Sequence, residues 1–218
     1  MLEALRKEGL NANVVTFNTL ICSLCKNSKV AKAESYLHKM VNRGFDPDAF
    51  KGFVPDVFTL CSLIYGLCQN GDFKRAKSLY NEAIGKCMKS NVILYNTLIK
   101  GMCHNGLILK ALKLITEMHE KSCRPNTWTY NLIINGLCNM DSVSDASNIL
   151  NDAILNTMWD HDVLPDVITY NTMLNGLCKL KTFDDVMETF KVMGLIADTV
   201  SFDTLINGFC ENEDLNGA

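Results

Sequence analysis

The stretch VILYNTLIKGMCHN at residues 92–105 decides the fold, because close variants of it recur along the chain. Its apolar side chains, such as Tyr95 and Leu98, follow the three- and four-residue spacing of a helix that buries one face. The same spacing returns from Ile108 onward, after a turn in which Gly106 allows the chain to reverse. The stretch therefore predicts one helical hairpin of a repeated series.

A series of cysteines gives the period of the hairpin. Six of the ten cysteines, here called the marker cysteines, are separated by 43, 35, 35, 40 and 32 residues: Cys25, Cys68, Cys103, Cys138, Cys178 and Cys210. With each as the twelfth residue of its repeat, complete repeats cover residues 14–56, 57–91, 92–126, 127–166 and 167–198, and partial repeats cover 1–13 and 199–218. Extra residues are expected at 48–54 and 160–164, late in the second helix or in its exit loop, where a solenoid tolerates insertions.

The marker cysteines and a recurrent glycine predict close packing inside the repeats. Equivalent residues of successive repeats lie too far apart for a disulfide, so we interpret these cysteines as reduced, small core residues. Glycine stands two residues before five of them, at Gly66, Gly101, Gly136, Gly176 and Gly208. A glycine inside a helix costs about 1 kcal/mol relative to alanine, so its recurrence predicts that the paired helix of the hairpin passes very close there.

Composition and charge limit the classes of function. A hydrophobic content of 48% with only four prolines indicates a folded chain, and a net charge of −3 excludes a broad basic surface for duplex DNA. No apolar run approaches the roughly 18 residues of a membrane-spanning helix, so we expect no membrane partner. Glu3 and Glu8 distinguish the opening residues from an organellar import signal, which we expect to be absent from this chain.

No motif in the sequence indicates catalysis. Cys22 and Cys25 form a CxxC pair within one helical turn, but no second pair or paired histidine is near, so they are interpreted as structural residues. The four histidines share no spacing that builds a site: His38, His104, His119 and His161. Phosphate-binding and serine-nucleophile motifs are also absent from the sequence. We therefore predict a protein that is not an enzyme, without cofactor, metal or small-molecule substrate.

The pattern V-x-T-Y-N-T-L-I-x-G-L-C, in a 35-residue unit followed by Pro-Asp or Pro-Asn, resembles the pentatricopeptide repeat. It is most similar to P-type arrays of plant organelles, such as fertility-restorer-like proteins. The resemblance implies an all-α fold, a right-handed α-solenoid of helix-turn-helix repeats, in a chain that is part of a longer array. It also implies sequence-specific binding of single-stranded RNA in organellar RNA processing, stability or translation, in the mitochondrion or alternatively the chloroplast. Proteins of RNA processing are further expected partners.

In this family one base is read per repeat, by the fifth residue of the first helix and the last residue of the repeat. The resemblance thus assigns base reading to Asn18 with Asp56, Cys61 with Asn91, Asn96 with Asn126, Asn131 with Asp166, and Asn171 with Asp198. By the same resemblance, Asn with Asp favours uracil and Asn with Asn favours cytosine, while Cys61 favours adenine by analogy only. The implied 5′-to-3′ preference is near U-A-C-U-U. Asp48 is an alternative partner of Asn18, and Asp203, without a complete partner, is interpreted as a surface residue.

The family also assigns residues to base stacking and to the RNA backbone. The second residue of each repeat forms the walls between which bases stack: Val15, Phe58, Ile93, Trp128, Ile168 and Val200. A lysine after the marker cysteine contacts the backbone, and only Lys26 and Lys179 keep it here. Each phosphate contact on a single strand adds about 0.7 to the steepness of the log–log salt dependence, so we expect weak, shallowly salt-dependent binding.

Two other functions stay open at this point. A helical scaffold of the tetratricopeptide kind would bind a peptide in its concave groove, although the early W-x-x-L-G-x-x-Y pattern of that repeat is missing. A degenerate array would have no activity. Amides recurring in register, each with an acid or amide one repeat-length later, favour base edges over a peptide.

Overall fold

The structure of the chain is a computed structural model that describes residues 13–42, 55–85, 91–139 and 154–211. Within these ranges the secondary structure is helical: α1 (Val14–Lys26), α2 (Val30–Asn42), α3 (Val57–Gln69), α4 (Phe73–Gly85), α5 (Val92–His104), α6 (Ile108–Glu120), α7 (Thr127–Cys138), α8 (Leu155–Asp160), α9 (Val167–Lys179), α10 (Phe183–Met193), a 3-10 turn (Gly194–Ile196) and α11 (Thr199–Glu211). The partial repeat predicted before Asn13, Asp48 and the extra residues predicted at 48–54 lie outside the described residues.

The helices form two compact units, Met1–Gly101 and Met102–Ala218. In the first unit α1 packs on α2 and on α3, and α3 packs on α4. In the second unit α7 packs on α6 and α9, while α9 also packs on α10 and α11. α1 and α9 thus each contact both their hairpin partner and the first helix of the next repeat, which is the packing of an α-solenoid. None of the described helices is both long and apolar enough to cross a bilayer.

Each first helix begins at a side-chain cap supplied by the last residue of the preceding repeat. The side chains of Asp56 and Asp166 accept hydrogen bonds from the backbone N–H of Thr59 and Thr169, respectively. Asn13 and Asn126 cap α1 and α7 in the same way. Such a cap stabilises a helix by about 1 kcal/mol. It also holds the last residue of each repeat at the beginning of the next first helix, where the site is built.

The turn inside the hairpin has a left-handed backbone whether or not glycine is present. Gly71 and Gly106 have φ of +77° and +70°, and Ser28 and Lys181 adopt +56° and +58° at the equivalent position. Only glycine enters this region without a steric penalty. Ser28 and Lys181 are therefore strained where glycine would not be.

The recurrent glycine does pack closely, but the predicted partner is wrong. A Cβ atom added to any of the five glycines would come closer than 3.0 Å to the marker cysteine of the preceding repeat, as for Gly66 against Cys25 and Gly176 against Cys138. The close neighbour is therefore the first helix of the previous repeat and not the second helix of the same hairpin. Gly136 alone also meets a second-helix side chain, that of Ile108 in the preceding hairpin.

This contact explains the burial of the marker cysteines. The first five, those covered by a glycine of the next repeat, are buried, whereas Cys210 is exposed, so its prediction as a core residue is wrong. Burial raises the pKa of the Cys25 thiol to about 11 and that of Cys103 to about 12. All nine cysteines in the described ranges are free thiols.

The extra residues expected at 160–164 lie elsewhere. Ser122 and Asp162 have nearly the same φ, 55° and 56°, in the exit loops of successive hairpins. In the first loop the N–H of Cys123 donates to the carbonyl oxygen of Met118, and in the second the N–H of Val163 donates to that of Met158. The two exit loops are thus alike, and the five extra residues fall upstream, between Cys138 and the last turn of α8. An insertion there leaves unchanged the exit loop that connects one repeat to the next.

Candidate nucleic-acid interface

The fifth residues of the first helices are polar side chains held in a largely buried position. Asn18, Asn96 and Asn131 are only 7–8% exposed, and Cys61 and Asn171 are half-buried. They follow the fourth residue, such as Phe17, which belongs to the core. The fifth position therefore lies where the core meets the inner face of each first helix. Asp203 is exposed.

Asn18 and Asp56 form a hydrogen-bonded pair across successive repeats. Nδ2 of Asn18 donates to Oδ2 of Asp56 at 3.0 Å, while the other carboxylate oxygen accepts from the backbone N–H of Thr59 at 2.8 Å. The Thr59 hydroxyl reaches Oδ1 of Asn18. Burial acts to raise the pKa of Asp56, but the hydrogen bonds from Thr59 and Asn18 outweigh it and hold the pKa below its ordinary value. The Asp56 carboxylate is therefore ionised at neutral pH, where it accepts the hydrogen bonds of Asn18 and Thr59.

Asn171 and Asp198 form a longer version of the same pair. Nδ2 of Asn171 lies 3.4 Å from Oδ1 of Asp198, which also accepts from the backbone and the hydroxyl of Ser201 at 2.9 Å. The backbone and side-chain hydrogen bonds from Ser201 lower the pKa of Asp198. A separation of 3.4 Å exceeds the usual 2.9–3.0 Å of an N–H···O bond, so this contact is the weaker of the two.

Asn131 is not bonded to its assigned partner. In the described residues no hydrogen bond joins it to Asp166, whose carboxylate accepts instead from the N–H and hydroxyl of Thr169 at 2.8 and 2.9 Å. The Oδ1 atoms of Asn131 and Asn171 are buried and without a hydrogen-bond partner. Their NH2 groups are thus the polar ends that remain for a ligand. The pairing of Asn96 with Asn126 stays a prediction.

The junction at Cys61 is built differently. Burial raises the pKa of this thiol, which keeps it neutral and a poor hydrogen-bonding group. Oδ1 of Asn91 accepts from the N–H of Ile93 at 2.8 Å. The third position of the following helix is Leu94, which is fully buried. This junction therefore lacks the fifth-position amide, the capping carboxylate and the third-position hydroxyl found at Asn18, and the Cys61 thiol is hydrogen-bonded to the side chain of Thr97 instead.

The predicted wall residues are all exposed on the first helices. The six second-position side chains are 56–68% exposed, although every one of them is a large apolar residue: Val15, Phe58, Ile93, Trp128, Ile168 and Val200. Exposed apolar side chains in register are uncommon on a protein surface unless they bind something. They supply faces against which planar rings can pack.

In the second unit these side chains enclose an open groove of about 540 Å³. Trp128, Ile168 and Val200 line it together with Asn131 and Asn171. Asp198 lies at the same groove, while Asp166 is not among its lining residues. The volume falls within the range of about 300–1,000 Å³ that is usual for small-molecule sites, so a nucleotide base fits.

Sequence reasoning missed a second inner row, the ninth residue of each repeat. Asn135 and Asn175 line the groove of the second unit. In the first unit Nζ of Lys100 lies 5.3 Å from the ring centroid of Tyr65. These residues stand one helical turn after the fifth position, so the four-residue spacing could have found them. Lys26 and Lys179, the predicted backbone contacts, are exposed at the ends of α1 and α9.

Two histidines without meaningful spacing in the sequence meet in the second unit. The rings of His119 and His161 are 3.6 Å apart between centroids, and Nδ1 of His161 is 2.5 Å from the hydroxyl of Tyr130. Burial, with a smaller effect of Asp160, raises the pKa of Tyr130 to about 12. The described part of the chain contains no cluster of three or more residues able to hold a metal ion.

Comparisons with known proteins agree on one type of repeat. The sequence profile of the PPR repeat family matches residues 12–50 and 90–139, and two further PPR repeat profiles match residues 51–84 and 161–194, and 128–155. No curated protein sequence matches the chain.

Solved structures are similar over nearly the whole chain. The pentatricopeptide repeat protein PPR10 from maize has a TM-score of 0.67 and 20% identity, over 99% of this chain and 29% of that one. PPR10 in complex with an 18-nt psaJ RNA element has a TM-score of 0.70 at 20% identity, over 99% and 30%. The PPR domain of Arabidopsis thaliana protein-only RNase P 1, in complex with tRNA, has a TM-score of 0.54 at 14% identity, over 87% and 95%. The chain spans less than a third of the length of the maize protein. These likenesses confirm the predicted all-α solenoid fold.

Proposed function

The chain belongs to the pentatricopeptide repeat family, and from this premise we propose that it binds single-stranded RNA, one base to each repeat. The observation that carries the proposal is the Asn18–Asp56 pair. The buried amide of Asn18 is held by the cap of the next helix, and the second-position side chains of the two helices, Val15 and Phe58, are exposed and apolar. This arrangement suits a flat ring with hydrogen-bonding edges.

Stacking supplies the part of the affinity that does not depend on sequence. A base enters between the second-position side chains of successive repeats, and each stacked base contributes about 1–3 kcal/mol. Trp128 is the largest of these side chains and offers the widest stacking surface. Stacking alone does not distinguish one base from another, so specificity comes from the fifth position.

The fifth-position amides supply the base preference. The NH2 groups of Asn131 and Asn171 remain for a ligand because their carbonyl oxygens are buried. An N–H donor suits the carbonyl oxygen of a pyrimidine. We therefore propose the preference U-A-C-U-U for the five complete repeats. The repeat of Cys61 should be the least selective of the five.

The proposed role is binding without chemistry. RNA bound by the chain would be protected from nucleases or prevented from folding into a hairpin. Either effect would act in RNA processing, stability or translation. By family analogy we propose the mitochondrion as the compartment.

The proposal is tested by selection of RNA from a random pool at two salt concentrations. Pyrimidine-rich strings with the order U-A-C-U-U are expected from the wild-type chain. The variant Asn131→Thr should shift the preference of the fourth repeat from uracil towards guanine by the family's rule. Asn81→Thr, at an exposed residue of the second helix α4, is the control and should select the same strings as wild type. Enrichment unrelated to pyrimidines would contradict the base assignment, and no enrichment would favour a peptide-binding scaffold or an array without activity.

A further inference from the structure

The third residue of each first helix is a buried hydroxyl in most repeats. Thr59, Thr129, Thr169 and Ser201 are completely buried in helices whose other buried residues are mainly apolar. Each N–H donates to the residue that caps its helix. Helix capping accounts for the hydrogen bond of the N–H group and for the bond between the hydroxyl and the capping residue. It does not explain why the hydroxyl of Thr59 also contacts Asn18, the fifth residue of the preceding repeat.

Thr59 closes a ring of hydrogen bonds around Asn18. Its N–H and hydroxyl each lie 2.8 Å from Oδ1 of Asp56, Oδ2 of Asp56 accepts from Nδ2 of Asn18 at 3.0 Å, and the same hydroxyl contacts Oδ1 of Asn18. Both ends of the amide are therefore held. The carbonyl oxygen turns inward to the hydroxyl, and one N–H of the amide stays directed outward.

The second unit shows the bond to the aspartate without the hydroxyl contact. Asn171 donates its Nδ2 to Asp198, while its Oδ1 is buried and has no hydrogen-bond partner in the described residues. Ser201, at the third position of the next helix, donates its hydroxyl to the same Asp198 oxygen at 2.9 Å. Asn131 also has a buried Oδ1, and Thr169 follows it in the next repeat.

The one junction without an amide also lacks the hydroxyl. Where Cys61 replaces asparagine, Leu94 fills the third position of the following helix and is fully buried. Oδ1 of Asn91 then accepts from the N–H of Ile93, while the N–H of Leu94 donates to the backbone carbonyl oxygen of Asn91. At the Asn18 junction the hydroxyl contacts the amide, and at the Cys61 junction both the fifth-position amide and the third-position hydroxyl are missing, as expected if one positions the other.

We propose that the third residue of the following repeat is a further determinant of base preference, a positioning residue that fixes which end of the asparagine faces the RNA. Its hydroxyl holds the carbonyl inward so that the NH2 group meets the base. The NH2 group selects a base edge with an acceptor, such as the carbonyl oxygen of uracil. This inference rests on the proposed RNA binding. In this chain the residue is Thr59, for Asn18. The hydroxyls of Thr169 and Ser201 donate to the capping aspartates, and Oδ1 of Asn131 and of Asn171 has no hydrogen-bond partner in the described residues.

The chain offers a matched control for loss of the hydroxyl. Thr16 makes the same capping hydrogen bonds, with Asn13, but contacts no fifth-position residue in the described ranges. Thr59→Val and Thr16→Val should therefore destabilise the protein to a similar degree. Only Thr59→Val should lower the preference for uracil at the base of the first repeat, by about two- to tenfold for one hydrogen bond. Thr59→Ser keeps the hydroxyl and should keep the preference.

Binding is measured with four RNAs that differ only at that base. Equal preference in the wild type and Thr59→Val overturns the inference while leaving the proposed RNA binding in place. A wild-type chain that binds none of the four overturns both. The NMR signal of the Asn18 side-chain amide, recorded in the absence of RNA, tests the positioning role independently of binding. It should shift in Thr59→Val and not in Thr16→Val, and an unshifted signal overturns the positioning role.

A gain of preference tests the inference from the opposite direction. Cys61→Asn introduces the amide beside Leu94, and Cys61→Asn with Leu94→Thr introduces the amide and its hydroxyl. Only the double variant should acquire a preference at the second base, for cytosine because the partner is Asn91. A single variant that prefers cytosine as strongly as the double variant overturns the inference.

Discussion

At the scale of single residues, the backbone of the hairpin turn and the fifth-position side chains follow different rules. The turn needs a left-handed φ, which glycine provides and which Ser28 and Lys181 reach at a cost. The fifth position holds a polar group in a buried place, which is stable only when hydrogen bonds compensate for the loss of water. Asn18 satisfies this condition through Asp56 and Thr59.

Replacing Lys181 by glycine should stabilise the chain. The left-handed backbone costs an L-residue other than glycine about 1–2 kcal/mol, and glycine removes this cost. Part of the gain is lost to the greater freedom of glycine in the unfolded state, so we expect a net increase of roughly 0.5–1 kcal/mol in unfolding free energy. Urea unfolding measures it. Lys191→Gly, in the last turn of a helix, should destabilise, and a loss of stability in Lys181→Gly would show that the turn is not strained.

The contact between His161 and its neighbours predicts a pH dependence of stability. Burial, and then His119, lowers the pKa of His161, with Asp160 opposing them. The folded chain thus binds this proton at lower pH than the unfolded chain, in which histidine titrates near 6.5. Stability is therefore fully present above that pH and is lost as the pH falls below it.

Thermal unfolding at about pH 7.5 and about pH 5.5 tests this dependence around the ordinary histidine pKa. Because solvent partly screens this half-buried group, the loss should not exceed about 1 kcal/mol, or roughly 2–4 °C. His161→Gln should reduce the difference between the two pH values. His38→Gln, at an exposed residue of α2, should leave it unchanged. An identical difference in wild type and His161→Gln would mean that other groups cause it.

At the scale of helices, the tightest contact lies between successive first helices. Glycine at one helix meets the marker cysteine of the helix before it in all five repeats that carry glycine there. The backbone of each glycine and the side chain of the cysteine are thus so close that a Cβ atom on the glycine would not fit. This contact brings neighbouring first helices together on the inner layer, where fifth-position residues and caps of adjacent repeats must meet.

Gly176→Ala should therefore destabilise the chain, contrary to the usual effect of alanine in a helix. The new Cβ would overlap the side chain of Cys138, and overpacking of this kind costs about 1–3 kcal/mol. Ser23 occupies the equivalent position of the first repeat and is exposed. Ser23→Ala is thus the control and should change stability by no more than about 0.5 kcal/mol. Chemical unfolding compares them, and a Gly176→Ala chain as stable as wild type would rule out the close contact.

At the scale of the whole molecule, charge limits binding to local contacts. The net charge of −3 provides no long-range attraction for RNA. Lys26 and Lys179 are the exposed lysines at the family's backbone position, and Lys100 adds a cation on the inner row. Affinity should therefore depend on stacking more than on salt-sensitive contacts.

Removing both lysines should make RNA binding less sensitive to salt. Lys26→Ala with Lys179→Ala should reduce the log–log slope by about 1.4, which corresponds to two phosphate contacts. Binding measured over a series of salt concentrations gives the slope. Lys74→Ala, at an exposed residue of α4, should leave it as it is in wild type. If the double variant keeps the wild-type slope while Lys100→Ala lowers it, the backbone lies on the ninth-position row.

The sequence by itself determined the period, the hairpin and the positions that carry polar groups, because these are local patterns repeated many times. The first helices begin at residues that the repeated pattern marks, and their caps are read from the residue before. Tertiary structure alone decided which helix each glycine meets, where the extra residues fall, and how Thr59 reaches Asn18, 41 residues away. It also decided that His119 and His161 touch. The physical reason is that a period fixes spacing along the chain, whereas contacts between repeats depend on how the hairpins pack.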